Sequence, residues 1–599
     1  MEPRARFDDL RPRTRRSFTL DGFVEALVAE EPGHVRSVLD RAERAVADGR
    51  WVAGFVTYEA AVAFDDAFRV HPVADTPFAT LPLAWFGVYE RRVASPPVPE
   101  TRISVGQWVP TMSEEEHRQG VEEIRSAILA GDTYQVNHTF RLSAGFEGDP
   151  ERLYHELIAG QSCGYGAFIH TGEWALASAS PELFFEWRHG RLTSRPMKGT
   201  APRGLDLAED EDIRTQLTHS EKERAENLMI VDMVRNDLGR IARPGSVQVP
   251  ALFTAEKYDT VWQMTSTVTA EPRAGTELAD VFEALFPCAS ITGAPKVATM
   301  DLITRLETMP RGVYCGAIGY GGPRPSGPEW AFNVAIRTVA VDDRTKTAWY
   351  GTGGGVTFDS TPGGEYREAI LKARVLERRG VGFSLLETMH WSPSHGFRNL
   401  TAHLARLTES AWYFDVPLDP AEVRSSLDGA VRFADSPQRV RLLVARDGTI
   451  TTDAGQAPPA AGTVRVVVDD PLLDPRDPLL RHKTTERTVY VDAAQRHPDA
   501  DDVILVTVDG LAADTTIATL CVELDGTWCT PPVTDGALPG VARRTLIESG
   551  RLKERSIRAE DLFGASRLAR VNSLRGWEEI TLAEPSTPHP ASQVRRLGR

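Results

Sequence analysis

Two hydrophobic periods alternate along this chain, and the switches between them mark out its elements. From residue 18 to about 90, helical patterns take turns with short apolar runs. Gly33-His34-Val35-Arg36-Ser37-Val38-Leu39 opens a helix, and Trp51-Val52-Ala53-Gly54-Phe55-Val56-Thr57-Tyr58 reads as a strand. The Pro-rich stretch 95–99 is a connection. Residues 114–130 are charged and periodic and predict a helix that stops at Gly131-Asp132; residues 134–140 then read as a strand. Residues 174–179 and 183–187 predict further strands. The strongest helical pattern is 221–240, where Ser220 can cap and acids fill the first turn. The pattern restarts around Gly380-Val381-Gly382, with a strand over 383–389 and a helix containing 403–407. No internal repeat is present, and 584–599, rich in Pro, Ser and Arg, predict a frayed tail.

A chain of 599 residues exceeds a single core, so two to four domains are expected. Its net charge of -16 argues against a nucleic-acid partner, although a few local arginines can still hold an acidic substrate. The five cysteines (Cys163, Cys288, Cys315, Cys521, Cys529) lack zinc-site spacing and read as free thiols in a reducing cytoplasm. Residues 1–16 have no apolar h-region, and no later run is long enough to span a bilayer, so neither a signal peptide nor a membrane partner is expected.

Chemistry concentrates first at Pro196-Met197-Lys198-Gly199-Thr200-Ala201-Pro202-Arg203-Gly204. Helix and strand breakers surround the lysine, so the stretch is expected to be a loop. A lysine held there is either a solvated surface amine or an activated one. Two acid pairs, Glu223 with Glu226 and Glu365 with Glu368, each lie three apart near the start of a helix. Such pairs are commonly solvated helix faces; if two converge, they suit a hard divalent cation such as Mg²⁺.

Five ordered motifs then change the picture. The 196–204 stretch, Lys222-Glu223-Arg224-Ala225-Glu226-Asn227 with Arg235-Asn236-Asp237-Leu238-Gly239-Arg240, Ser290-Ile291-Thr292-Gly293-Ala294-Pro295-Lys296, Tyr314-Cys315-Gly316-Ala317-Ile318-Gly319-Tyr320 and Gly353-Gly354-Gly355-Val356 resemble the chorismate-utilising enzymes. That family includes anthranilate synthase component I, aminodeoxychorismate synthase component I, and isochorismate and salicylate synthases. The resemblance covers most of 1–380, taken as one module with an N-terminal part (1–110) and a catalytic core (111–380). It implies an α+β fold like that of anthranilate synthase component I, with antiparallel sheets wrapped by helices and the site between them.

The resemblance also implies roles. Lys198 matches the nucleophile of members that aminate chorismate at C4, whereas anthranilate synthases carry a small residue there. Glu182 matches the general acid/base. Arg337, expected in a strand, and Tyr314 match residues that hold a substrate carboxylate. Ser290, the amide of Gly355 and Lys372 match further substrate contacts. Gln135 stands where water-adding relatives have a lysine base. Glu223, Glu226, Glu365 and Glu368 would hold Mg²⁺ against the ring carboxylate. Gln263 replaces a His that many members carry and that accompanies pyruvate elimination, so amino-chorismate is the expected product. None of the cysteines has a glutaminase setting, so a separate glutamine amidotransferase subunit is the expected ammonia source.

Residues 383–583 carry a second set of motifs: His482-Lys483-Thr484-Thr485, Asp514-Thr515-Thr516-Ile517-Ala518, Gly536-Ala537-Leu538-Pro539-Gly540-Val541 and Asn572-Ser573-Leu574-Arg575-Gly576. These resemble the class IV aminotransferases, pyridoxal-phosphate enzymes of fold type IV with the two-subdomain, D-amino-acid aminotransferase-like α/β build. Lys483 matches the lysine that attaches the cofactor, and Arg406 the phosphate-binding arginine. Asp514 stands where the pyridine nitrogen is met, with Val541 and Ser573 near the phosphate. Three positions depart: Asp514 replaces Glu, Thr519 replaces Asn and Ala542 replaces Thr. The resemblance allows a homodimer through this module. Together the two resemblances imply amination of chorismate through a covalent Lys198 intermediate. Pyruvate elimination to 4-aminobenzoate, for folate, would follow. The alternatives are an anthranilate synthase joined to a D-amino-acid transaminase, or an active synthase followed by a silent module.

Overall fold

The computed structural model describes residues 2–583 apart from 12–13, 97–100, 160–162, 259–260, 325–328, 377–382, 460–461 and 463. The tail 584–599 and most of the Pro-rich connection at 95–99 lie outside the described residues. The chain forms two compact units: Met1–Pro202 with Asp212–Val381, and Arg203–Glu211 with Gly382–Arg599. Among the described residues no helix is long and apolar enough to cross a membrane.

In the first unit the strand Gln135–Glu147 is the spine of the site. It pairs antiparallel with Thr347–Val356, so that Asn137 faces Gly355 and Val136 faces Val356. On its other side Gly293 and Ala294 pair with Val136 and Gln135. Three of the sequence motifs are thereby stitched side by side through backbone hydrogen bonds. The helix Glu221–Gly239 forms where its pattern predicts. The Ser220 hydroxyl accepts from the Glu223 N–H at 3.3 Å. Ile230, Val231, Val234 and Leu238 enter a core that includes Phe282 and Phe332, each contributing about 1.5–3 kcal/mol. This buried end fixes the helix and leaves its first two turns, with Glu223 and Glu226, outside that core. The helix Glu114–Ala130 stops at Gly131, as its pattern predicts, with φ of 82°, and a reciprocal Ser113–Glu116 box caps its start.

Two expectations about local structure fail. The stretch around Lys198 is no loop: Met197–Pro202 is a strand, antiparallel to Val261–Ala270. The register shifts between Met197 and Thr200, and Gly199 has φ of 91°. The glycine therefore makes a bulge inside a strand instead of ending one. Arg337 lies in no strand. It links Glu329–Val334 to Thr338–Asp342, at φ of 50°. At that point the chain leaves its pairing with Ala317–Gly322 and joins Trp174–Ser180, and a left-handed residue turns the corner.

The second unit holds a small antiparallel sheet of Leu385–Ser392, Gln438–Val444 and Ile450–Gln456. Its larger sheet is mixed, with Val464–Leu473 parallel to both Asp502–Thr507 and Gly576–Leu582. The helix Leu400–Tyr413 turns His403, Arg406, Leu407, Ser410, Ala411 and Tyr413 inward. The segment 203–211 belongs to this unit. Arg203 and Asp210 form a fully buried pair at 2.8 Å, and Arg203 also donates to the Tyr413 carbonyl at 3.1 Å and covers its ring at 3.8 Å.

Candidate active sites

The first site gathers around two glycines of the strand Thr347–Val356. A Cβ at Gly355 would stand 2.5 Å from Lys198 Nζ and 2.6 Å from Gln135 Nε2. The amine and the amide therefore converge on space that only glycine leaves open. Gln135 is fully buried, and among the described residues neither end of its amide has a partner. At Gly354 the same construction meets Glu365 Oε2 at 3.1 Å, Lys372 Nζ at 3.5 Å and Glu368 Oε1 at 3.8 Å. Lys372 donates to Glu368 at 2.8 Å and to the Gly353 carbonyl at 3.0 Å. Lys198 Nζ lies 4.0 Å from Glu226, and Glu223 stands against Gly199. Gln263 holds the lysine's strand, donating to the Gly199 carbonyl and accepting from the Thr200 hydroxyl, each at 2.8 Å. Glu182 is buried and accepts from the Ser290 hydroxyl at 2.7 Å.

Burial governs the electrostatics. It lowers the Lys198 amine below the ordinary lysine value against the pull of Glu226, Glu368 and Glu182, with Lys372 assisting. It pushes the Glu182 carboxyl up to about 7, against the Ser290 hydroxyl, the Met197 N–H and Lys198. Glu223 and Glu365 are raised by burial and by their like-charged neighbours. In Glu368 burial acts upward too, but Lys372 outweighs it and the carboxyl falls. Among the described residues no three such ligands already meet as a metal cage. The two acid pairs nevertheless share one field, and their all-oxygen chemistry suits a hard ion that keeps waters.

Tyr314 and Arg337 have other partners. Tyr314 packs on Gly351, with the Arg141 guanidinium 4.9 Å from its ring. The Arg337 carbonyl accepts from Ala179, and its charge is felt at Tyr258 and Tyr350. A separate cavity of about 370 Å³ in this unit, lined in part by Asp8, Arg11, Arg188 and Tyr320, includes none of the predicted residues.

In the second unit Lys483, Arg406, Asp514, Val541 and Ser573 all line one cavity of about 380 Å³, together with the departing positions Thr519 and Ala542. Burial, reinforced by Arg406, brings the Lys483 amine down to about 8. Asp514 is pushed up to about 7 by burial, although it accepts N–H groups from Leu538 at 2.8 Å and Leu520 at 3.4 Å. The set is an amine, a guanidinium, a hydroxyl and a carboxylate around one hollow, which fits a flat heteroaromatic phosphate.

Sequence reasoning missed several residues. Arg439, Arg441, Arg487 and Arg575 also line the second cavity. The first two were findable, because arginines two apart on a strand share a face. In the first unit Arg311 donates to the carbonyls of Ile291 at 3.0 Å and Asn137 at 2.7 Å, and Glu307 holds Thr139 and both Arg141 and Arg311. This buried knot ties the Gln135 strand to the Ser290 turn. No local pattern announces it.

The sheet and its convergent lysine, amide and acids define a chorismate-binding architecture. A sequence model of the family described as chorismate binding enzyme matches residues 21–378, and the chain belongs to that family. Residues 384–582 match the family described as amino-transferase class IV. The chain is 40% identical over 302 residues to aminodeoxychorismate synthase component 1 of Klebsiella aerogenes, covering 49% of this chain and 64% of that one. Its counterpart from Bacillus subtilis is 37% identical over 305 residues, covering 51% and 63%. The chain thus spans slightly under two thirds of these curated relatives. The crystal structure of anthranilate synthase component I from Streptococcus pneumoniae superposes with a TM-score of 0.53 at 26% identity, covering 62% of this chain and 92% of that one.

Proposed function

We propose that this chain makes 4-aminobenzoate from chorismate in two steps, amination by residues 1–380 and pyruvate elimination by residues 383–583. The observation that carries the reading is the burial-lowered amine of Lys198 meeting Gln135 over Gly355, in a chain that also gathers Lys483, Arg406 and Asp514 around one cavity. The similarity to aminodeoxychorismate synthase component 1 supports it.

In the first step the neutral Lys198 amine forms a bond to C2 of the ring. Both ring double bonds shift, the C4–O bond breaks, and the hydroxyl leaves as water with a proton from Glu182. Ammonia then bonds to C4, both double bonds return, and the C2–N bond breaks to release Lys198. Glu182 takes the surplus proton. Splitting one displacement into two lowers each barrier, and a carboxyl near 7 can both give and take a proton at neutral pH. Glu223, Glu226, Glu365 and Glu368 would hold Mg²⁺, which supplies positive charge for the ring carboxylate. Arg337 and Tyr314 would hold the other carboxylate. The ammonia would come from a separate glutamine amidotransferase, since none of the five cysteines sits in a glutaminase setting.

In the second step Lys483 takes the C4 proton of 4-amino-4-deoxychorismate, enolpyruvate leaves, and the ring becomes aromatic. Pyridoxal 5'-phosphate, when bound, supplies the electron sink. Arg406, Ser573 and the N–H of Val541 would hold its phosphate, and Asp514 its ring nitrogen. The product suits folate synthesis in the cytoplasm. The deciding experiment supplies chorismate, Mg²⁺ and ammonium with and without pyridoxal phosphate. Amino-chorismate should accumulate without the cofactor, and 4-aminobenzoate plus pyruvate should form with it. Anthranilate as product would refute the reading.

A further inference from the structure

The strand that carries Lys198 is bulged, and two carboxamides hold the bulge. Met197 faces Thr265 and Thr200 faces Gln263, so three steps along the lysine's strand match two along its partner. The extra residue takes Lys198 and Gly199 out of register and re-aims the lysine. Only glycine fits at 199: its φ is 91°, and a Cβ would stand 2.9 Å from Glu223 Oε2 and 3.2 Å from Met264 Cε.

A bulge disrupts the ladder locally, and here side chains step in. Gln263 Nε2 donates to the Gly199 carbonyl at 2.8 Å, and Gln263 Oε1 accepts from the Thr200 hydroxyl at 2.8 Å. A carbonyl only accepts, so the nitrogen end of the amide must face Gly199. Asn227 Nδ2 reaches the Lys198 carbonyl at 3.4 Å, and Asn227 Oδ1 accepts from the Ser266 hydroxyl at 2.6 Å. The Ser266 N–H donates to the Pro196 carbonyl at 3.2 Å. Carbonyls before, at and after the lysine are thus held from the strand Val261–Ala270 and the helix Glu221–Gly239.

A fixed backbone decides where a long, flexible stem can put its amine. Lys198 Nζ reaches the space over Gly355 yet stays 4.0 Å from Glu226, beyond hydrogen-bond reach. Asn227 follows Glu226 on the same helix, so one element offers the competing acid and also holds the lysine's carbonyl. A small roll of the bulge toward that helix would close the amine on Glu226 and vacate the space over Gly355.

We propose that Gln263, assisted by Asn227, is a positioning residue for the amination step: its carboxamide holds the Gly199 bulge so that the Lys198 amine reaches the space over Gly355 and stops short of Glu226. The inference rests on reading Lys198 as the nucleophile and adds two residues that act through its backbone. A carboxamide suits the task because its donor and acceptor sit side by side on one carbon, matching the adjacent Gly199 carbonyl and Thr200 hydroxyl. Glutamate at 263 would keep the acceptor for Thr200 and lose the donor for Gly199. Leucine would lose both.

Single-turnover mixing of the full-length protein with chorismate and Mg²⁺ but no ammonia, followed by mass analysis of the Lys198 peptide, reads adduct formation directly. Steady-state amination with ammonium gives kcat and KM. Gln263→Leu should slow adduct formation and kcat together by about 30-fold, with KM for chorismate within about twofold and the melting temperature unchanged. Thr200→Val removes only the contact to the amide oxygen and should cost about threefold. Added to Gln263→Leu it should cost nothing more, because the hydroxyl acts through the amide. An unchanged adduct rate in Gln263→Leu, a loss confined to KM, or a Thr200→Val loss that multiplies with it would overturn the inference. Should Gln263→Leu fail to fold, Gln263→Glu decides, since it keeps the side chain's size and the Thr200 contact; an adduct rate equal to that of wild type overturns the clamp. Wild type that aminates chorismate with no Lys198 adduct overturns the nucleophile reading as well, whereas an adduct formed equally fast without the carboxamide overturns the clamp alone.

Discussion

The molecule places a buried lysine in each of its two units, and the charges around the two amines are balanced differently. Lys198 stands among Glu226, Glu368 and Glu182, whose charges oppose the loss of its proton. Burial brings Lys483 down to about 8, with Arg406 and Arg487 favouring the loss of its proton against Glu387 and Asp514. Burial starts both shifts; two cations assist it at Lys483 and one, Lys372, at Lys198. On the proposed function, Mg²⁺ would offset the acids of the first site, and metal and substrate together would finish there what burial begins.

The comparison can be broken most sharply at the amines themselves. Lys198→Ala should cut amination by roughly 1000-fold or more while leaving elimination from supplied amino-chorismate within about twofold, and Lys483→Ala should do the reverse. Product chromatography separates the two, and loss of both activities in either variant would mean that the sites are not independent. Next in size is chelation. EDTA should lower amination about 100-fold and spare elimination, because the proposed Mg²⁺ site lies among the acids of the first unit alone.

Gly355→Ala probes the crowding between Lys198 and Gln135. Both clashing atoms end flexible chains, so the melting temperature should hold while amination falls about 10- to 100-fold from a displaced amine. Unchanged kcat would show that the two side chains do not share that space. The finest measurement is competitive acylation of the apoprotein followed by peptide mass analysis. Only neutral amines react, so labelling rises with pH through each pKa. Lys483 should be half-labelled near its value of about 8. The Lys198 midpoint should lie below that of surface lysines and move lower still when Mg²⁺ is added, whereas Lys483 should not move.

Much of this was legible where the chemistry is local. Gly131 and Ser220 mark helix ends by their local chemistry, and the structure places them so. The acid pairs were readable because helical spacing alone puts them on one face. The strand at Lys198 was misread because Pro and Gly look alike as breakers in a one-dimensional pattern. Only the partner strand Val261–Ala270 shows that Gly199 bulges within a ladder. Arg337 was misplaced for the same reason, since its turn is set by a change of pairing partner. The hydrogen bond between His403 and Ser573 joins positions 170 residues apart, and no periodicity links them.

The short stretch 203–211 changes how this protein can be taken apart. A gene divided near codon 382 looks like a clean separation into an upstream and a downstream enzyme. The downstream product would then lack the piece that covers the Tyr413 ring and carbonyl, and the upstream product would carry Arg203 and Asp210 into water without that cover. Swapping halves between homologues, or expressing one alone as a reagent, would therefore need the piece supplied to the downstream half, by permutation or as an added peptide.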